Sequence, residues 1–154
     1  MSKISPFLWF NDQAEQAAAF YVSLFPNSRI VSVSRDQGDT GKVFVLTFEL
    51  DGVQYIALNG GPHFTFNEAI SLRVDCETQE EIDRLWGALL ADGGAPSQCG
   101  WLKDKYGLSW QIVPRLLPEL VSMRDPARGQ RVMTAMRGMV KLDIAGLQRA
   151  AEGG

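Results

Sequence analysis

The sequence is short of the residues that most chemistry uses. Its 154 residues hold one histidine, His63, and two cysteines, Cys76 and Cys99. A single imidazole provides no His-His-carboxylate metal set and no obvious Ser-His-Asp arrangement. The cysteine spacing suits no zinc knuckle, and the two thiols read as reduced residues of a cytoplasmic protein. No Gly-x-Gly-x-x-Gly follows a strand and no phosphate loop is present; Gly60-Gly61 and Gly93-Gly94 are isolated pairs. A doubly wound nucleotide-binding enzyme is thereby disfavoured. Net charge is −3 with no basic run, which argues against nucleic acid as a partner. No apolar run reaches the roughly 20 residues that span a bilayer, so no membrane partner is expected. The opening Met1-Ser2-Lys3-Ile4-Ser5-Pro6 does not read as a signal peptide.

What is present is a repeat. Leu8-Trp9-Phe10, a polar break, then Glu15, Ala17, Phe20-Tyr21 and Leu24-Phe25 form one pattern. Leu72-Arg73-Val74, a break, then Glu80, Ile82, Leu85-Trp86 and Leu89-Leu90 form it again. Each half continues into a hairpin with a glycine in its turn, at Asp51-Gly52 and at Asp104-Lys105-Tyr106-Gly107. A duplicated unit fixes architecture before any single residue is interpreted.

Alternation and helical spacing predict strands at Ile4–Phe10, Arg29–Arg35, Val43–Leu50, Val53–Leu58, Ala69–Val74, Gln98–Leu102 and Leu108–Val113. The first helix is capped by Asn11 or Asp12 and stopped by Pro26-Asn27. The second is capped by Thr78 and stopped by Asp92-Gly93-Gly94, with Glu81 completing a capping box. Gln37-Gly38-Asp39-Thr40-Gly41 is a turn, and Asn59-Gly60-Gly61-Pro62 links the halves. A tail outside the repeat carries helical patterns at Leu116–Met123, over Val132, Met133, Met136, Met139 and Val140, and after a cap at Asp143. Its methionine stripe reads as a packing face.

Strand alternation assigns faces. Leu8 and Phe10 go to the helix side, Phe7 and Trp9 to a cleft. Ile70, Leu72 and Val74 go to the helix, Ala69, Ser71 and Arg73 to the cleft. Gln54, Ile56 and Leu58, and likewise Ser109, Gln111 and Val113, share the inward faces. The candidate ligand-binding residues are Phe7, Trp9, Gln54, Leu58, His63, Ser71, Arg73, Trp101, Ser109 and Gln111. Arg73 would take a carboxylate or phosphate, or else form an ion pair with Glu49 or Glu68. His63 is either a base or metal ligand at a cleft mouth or a surface-loop residue. No residue is singled out as catalytic.

The segments Pro6-Phe7-Leu8-Trp9-Phe10, Phe20-Tyr21-x-Ser23-Leu24-Phe25, Leu58-Asn59-Gly60-Gly61-Pro62 and the run from Cys99 to Pro114 resemble the PhnB-like branch of the vicinal oxygen chelate superfamily. That superfamily includes glyoxalase I, extradiol dioxygenases and the bleomycin and fosfomycin resistance proteins. Members of the branch often bear the label 3-demethylubiquinone-9 3-methyltransferase. The resemblance implies an α+β fold of paired βαβββ modules, at about 3–60 and 66–115 within a domain over 1–115, followed by a helical extension over 116–154. It also implies a homodimer.

Superfamily enzymes hold a metal at four strand positions, which fall near Ser5, Ile56, Ala69 and on Gln111. None is a histidine or carboxylate, so no metal or other cofactor is expected. Three readings follow. The first is a metal-free module that binds a small molecule. The second is a metal-dependent lyase, isomerase or dioxygenase in which His63 or Glu68 supplies a ligand. The third is the methyltransferase of the family label, for which no S-adenosylmethionine motif is found.

Overall fold

The computed structural model describes residues 2–37, 41–122 and 124–153. The middle of the expected turn at Gly38-Asp39-Thr40, and Met123 of the expected tail helix, lie outside the described residues. The chain divides into two compact units, residues 1–66 and 67–154.

The first unit runs β1 (Phe7–Phe10), α1 (Ala14–Leu24), β2 (Arg29–Arg35), β3 (Val43–Leu50) and β4 (Val53–Asn59). Its sheet order is β1-β4-β3-β2, with β1 parallel to β4 and the other pairs antiparallel. α1 buries Ala14, Ala17, Ala18 and Tyr21, a spacing that keeps one face on the sheet. Leu8, Phe10, Leu46, Phe48 and Ala57 lie beneath it.

The second unit repeats the scheme: β5 (Ser71–Cys76), α2 (Gln79–Leu90), β6 (Ala95–Pro96), β7 (Trp101–Lys103) and β8 (Ser109–Pro114). Its order is β5-β8-β7-β6, again with the first strand parallel to the last. α2 buries Ile82, Leu85, Trp86 and Leu89 at the same spacing as α1. The two units thus share one topology, and the second copy is the shorter, its β6 having two residues where β2 has seven.

Several boundaries differ from the sequence reading. β1 begins at Phe7, because Pro6 has no N–H to give; its carbonyl still accepts from Ile56 N at 3.0 Å. Neither Asn11 nor Asp12 caps α1. Gln13 occupies the cap without a side-chain bond, and Asn59 Oδ1 accepts from Ala14 N at 2.8 Å instead. β5 runs from Ser71 rather than Ala69, since Ala69 N is held in a local turn by Asn67 Oδ1, and Ile70 is left exposed. β7 covers Trp101–Lys103 rather than Gln98–Leu102. Cys99 (φ 59) and Gly100 (φ 85) adopt left-handed conformations in a turn closed by Trp101 N on Gln98 O, which breaks the strand. The tail pattern ends earlier than expected, as α4 stops at Arg137 ahead of Met139 and Val140.

α3 (Leu117–Leu120), α4 (Pro126–Arg137) and α5 (Ile144–Glu152) form the tail. Leu117, Val132, Leu142 and Leu147 bury against Val113 of β8. The backbone seals the join: Cys99 N and Gly100 N donate to Met139 O and Val140 O at 2.9 and 2.8 Å. Gln79 clasps the same segment, donating to Leu142 O and accepting from Ile144 N. Asp143 caps α5 as expected, with Oδ2 accepting from Gly146 N.

Two polar anchors hold the modules. Asn59 Nδ2 also donates to Val43 O, so one side chain ties β4, β3 and α1 together. Asp104 is buried in the last hairpin, where Oδ1 accepts from Tyr106 N and Leu108 N and Oδ2 from Trp110 Nε1. A buried carboxylate with three donors is a favourable arrangement, and removing it strands each of them.

Three outcomes test this description. A Cβ at Gly60 would lie 2.3 Å from Trp9 Cζ2, so Gly60→Ala should cost about 1–3 kcal/mol in urea unfolding. Asp104→Asn sets an amide N–H against the Trp110 indole N–H and should cost about 2–4 kcal/mol in the same assay. Burial beneath α2, with Glu81 as second cause, pushes the Cys76 thiol from 9.0 up to about 12. The folded state holds that proton more tightly than the unfolded one. The thiol's contribution is therefore complete below pH 9 and declines as pH rises toward 12. The decline should be about 1.4 kcal/mol per pH unit, and Cys76→Ala should flatten it in stability curves.

Candidate functional site

Each sheet has one face under its helix and one free of it. In-register neighbours share a face, so the free face of the second sheet can be taken row by row. Ser71, Ser109 and Lys103 form one row across β5, β8 and β7. Arg73, Gln111 and Trp101 form the next. Between them Leu72, Trp110 and Leu102 point the other way, toward α2, and the last two are fully buried.

The free face carries a connected polar group. Gln111 Nε2 donates to Ser71 Oγ at 2.9 Å, and both side chains are half-buried. Ser109, beside Ser71, is 1% exposed, and its Oγ has no hydrogen-bond partner among the described residues. A buried hydroxyl in that state costs about 1–3 kcal/mol until something bonds it. Glu68 lies ahead of β5 and Lys103 on β7, so their ion pair spans β8 at the level of Ser109. The hydrogen bond from Lys103 holds the Glu68 carboxyl below its usual range.

Arg73 is not free to take an anion unaided. Its Nε meets Asp75 Oδ1 at 3.1 Å on the same face, with both side chains more than two-fifths exposed. The partners anticipated for it are engaged elsewhere, Glu49 with Arg29 and Glu68 with Lys103. Asp75 sits two residues along the strand, so alternation itself brings the pair together. Trp101 is half-buried opposite Gln111. Val113, next on that face, is closed off by the tail.

The free face of the first sheet differs in kind. Phe7 and Ile56 form one row with Thr47, and Trp9 and Leu58 the next with Val45. The positions that hold Ser71, Ser109, Arg73 and Gln111 in the second module hold Phe7, Ile56, Trp9 and Leu58 in the first. Phe7 is 55% exposed. Trp9 is seated on the glycine loop: Nε1 donates to Gly61 O at 2.9 Å, the ring lies against Gly60, and Phe64 meets it edge-on at 4.8 Å. Gln54 Nε2 donates to Ser5 Oγ at 2.9 Å, an amide–hydroxyl pair at the end of this face. His63 is exposed in the segment after Pro62.

Of the residues that sequence reasoning singled out, Ser71, Arg73, Trp101, Ser109 and Gln111 share the free face of the second sheet. Gln54, Phe7, Trp9 and Leu58 share the other sheet. The Lys103–Glu68 bridge was missed, although alternation from Trp101 already places Lys103 on the free face. Also unforeseen is a groove of about 540 Å³ beside the start of α1, walled by the Glu15–Arg35 ion pair at 2.7 Å.

The fold's usual metal positions can be tested against these residues. Near Ser5, Ile56, Ala69 and Gln111 the chain offers hydroxyl, hydrocarbon, methyl and amide. Glu68 is bonded to Lys103, and no three of His, Cys, Asp and Glu come together among the described residues. A divalent cation needs several charged or imidazole donors to offset its dehydration, and these residues do not fit one.

No helix among the described residues is long and apolar enough to cross a membrane. A family model described as 3-demethylubiquinone-9 3-methyltransferase matches residues 2–113, and so stops short of the tail helices. No functionally curated protein matches the chain. Among solved structures, the PhnB protein from Bacillus cereus is 41% identical, with 73% of this chain and 99% of that one covered and a TM-score of 0.68. Protein PA1353 from Pseudomonas aeruginosa is 17% identical, covering 74% and 98%, with a TM-score of 0.60. FosX from Listeria monocytogenes, a fosfomycin resistance protein complexed with Mn(II) and sulfate, is 18% identical, covering 73% and 91%, with a TM-score of 0.51. The last two share the fold alone. With its two βαβββ units and the extended match to the family model, the chain belongs to the PhnB-like branch of the vicinal oxygen chelate superfamily.

Proposed function

We propose that this protein binds a small organic molecule without a catalytic metal, using the free face of its second sheet. The observation that carries the reading is the Gln111–Ser71 pair, in which the amide at the position corresponding to a superfamily metal ligand is hydrogen-bonded to a neighbouring hydroxyl. Polar groups of this kind, half-buried beside Trp101, orient a ligand through hydrogen bonds and leave its apolar body to aromatic contact. The exposed ring of Phe7 and the adjoining Trp9 and Leu58 give the first sheet an apolar surface suited to planar molecules. Homodimer formation is part of the same reading, and so is a cytoplasmic location.

The methyltransferase description of the family is the competing reading, and the match over residues 2–113 favours it. It requires a binding surface for S-adenosylmethionine, to which no motif in the chain corresponds.

Elemental analysis after tag-free, chelator-free purification should find no stoichiometric Mn, Fe, Ni or Zn. An ion that survives dialysis at one per chain overturns the metal-free reading. Tryptophan emission should respond saturably to members of a panel of planar aromatic amides and acids, while calorimetry with S-adenosylmethionine should register no binding heat. Silence across the panel together with heat from S-adenosylmethionine would hand the site to the methyltransferase reading.

A further inference from the structure

We infer that the polar patch of Ser71 and Gln111 on the second sheet selects a neutral ligand that presents a hydrogen-bond donor and an acceptor side by side, as an amide, lactam or imide edge does. The inference rests on the binding role proposed above and adds the chemical class. Gln111 and Ser71 are both uncharged, and each can give and accept a hydrogen bond. With Nε2 on Ser71 Oγ, the pair has Oε1 left to accept and the serine hydroxyl left to donate. With the amide turned over, the free Nε2 hydrogens donate and Ser71 Oγ accepts. The pair therefore offers one donor and one acceptor in either setting. Such an edge is matched by a group that carries the same two functions in reverse.

The nearby charges are already neutralised. Arg73 is paired with Asp75, and Lys103 with Glu68, so neither cation stands alone to attract a carboxylate. No carboxylate in these rows is left to hold a cationic ligand. Ser109 adds an unpaired hydroxyl directly beneath this face. It lies in register with Ser71, it is 1% exposed, and its Oγ has no hydrogen-bond partner among the described residues. A site whose buried polar groups await partners rejects an isostere that cannot bond them.

The test uses the full chain and three probes that share one ring: benzamide (neutral), benzoate (anionic) and benzamidinium (cationic). Backbone amide signals of Ser71 and Ser109 and the side-chain amide of Gln111 are followed by two-dimensional NMR titration. Benzamide should shift these signals saturably, and the charged probes should bind at least about tenfold more weakly. Gln111→Leu should remove the preference for benzamide. Gln111→Glu, which keeps the shape and adds a charge, should transfer the preference to benzamidinium. The second variant also carries the test if the first perturbs the sheet, which its own spectrum would reveal. Equal or tighter binding of either charged probe through the same signals overturns the amide class while leaving the binding site intact. Failure of benzamide to move them also overturns the inference, and the metal and fluorescence measurements above then judge the wider reading on their own.

Discussion

Everything in this molecule depends on a parallel pairing made twice. In each unit the first strand lies in register beside the last, β1 on β4 and β5 on β8. Two strands can be neighbours and parallel only if the chain crosses over between them, and the helix supplies the crossing. The helix must then cover one face of its sheet, and the residues of the opposite face are spared from core packing. The free faces are a by-product of that topology. They are where side chains can differ between the copies without cost to the fold.

The two copies use that freedom in opposite ways. On the helix side both follow one rule, with four buried residues at the same spacing on α1 and α2. On the free side the rows diverge, Phe7, Ile56, Trp9 and Leu58 against Ser71, Ser109, Arg73 and Gln111. What persists in the core is the spacing, not the volume: Ala14, Ala17, Ala18 and Tyr21 stand against Ile82, Leu85, Trp86 and Leu89, because helical periodicity decides which positions meet the sheet. The duplication has faded on the faces open to function. Of the superfamily's metal positions, Ile56 and Gln111 fall on these faces and carry a hydrocarbon and an amide, while Ser5 and Ala69 lie just ahead of β1 and β5.

Much of the architecture was legible in the chain. Period-two and helical spacing located every strand except β6, and Thr78 and Asp143 marked helix starts that the structure retains. One misreading had a distant cause. α1 is capped by Asn59, 45 residues on, which no local rule can propose. The others were local: the Asn67 turn ahead of β5, the left-handed turn at Cys99-Gly100 and the closure of α4 at Gly138. Of the candidate site, faces and residue types could be inferred, since alternation is local. The pairing of Arg73 with Asp75 follows from the same alternation, whereas the bridge from Glu68 over β8 depends on which strand lies beside β8 and could not be inferred.

The clasp of Gln79 on Leu142 and Ile144 carries an implication for biosynthesis. In the first unit the widest-reaching side-chain bond among the described residues, Trp9 to Gly61, joins residues 52 apart, so its partners are available once the glycine loop has been made. In the second, Gln79 waits for Ile144, 65 residues later. A chain emerging from the ribosome can therefore complete its first sheet early. Its second sheet must remain unsealed, with Val113 and its apolar surroundings uncovered, until the tail segment through Ile144 has emerged.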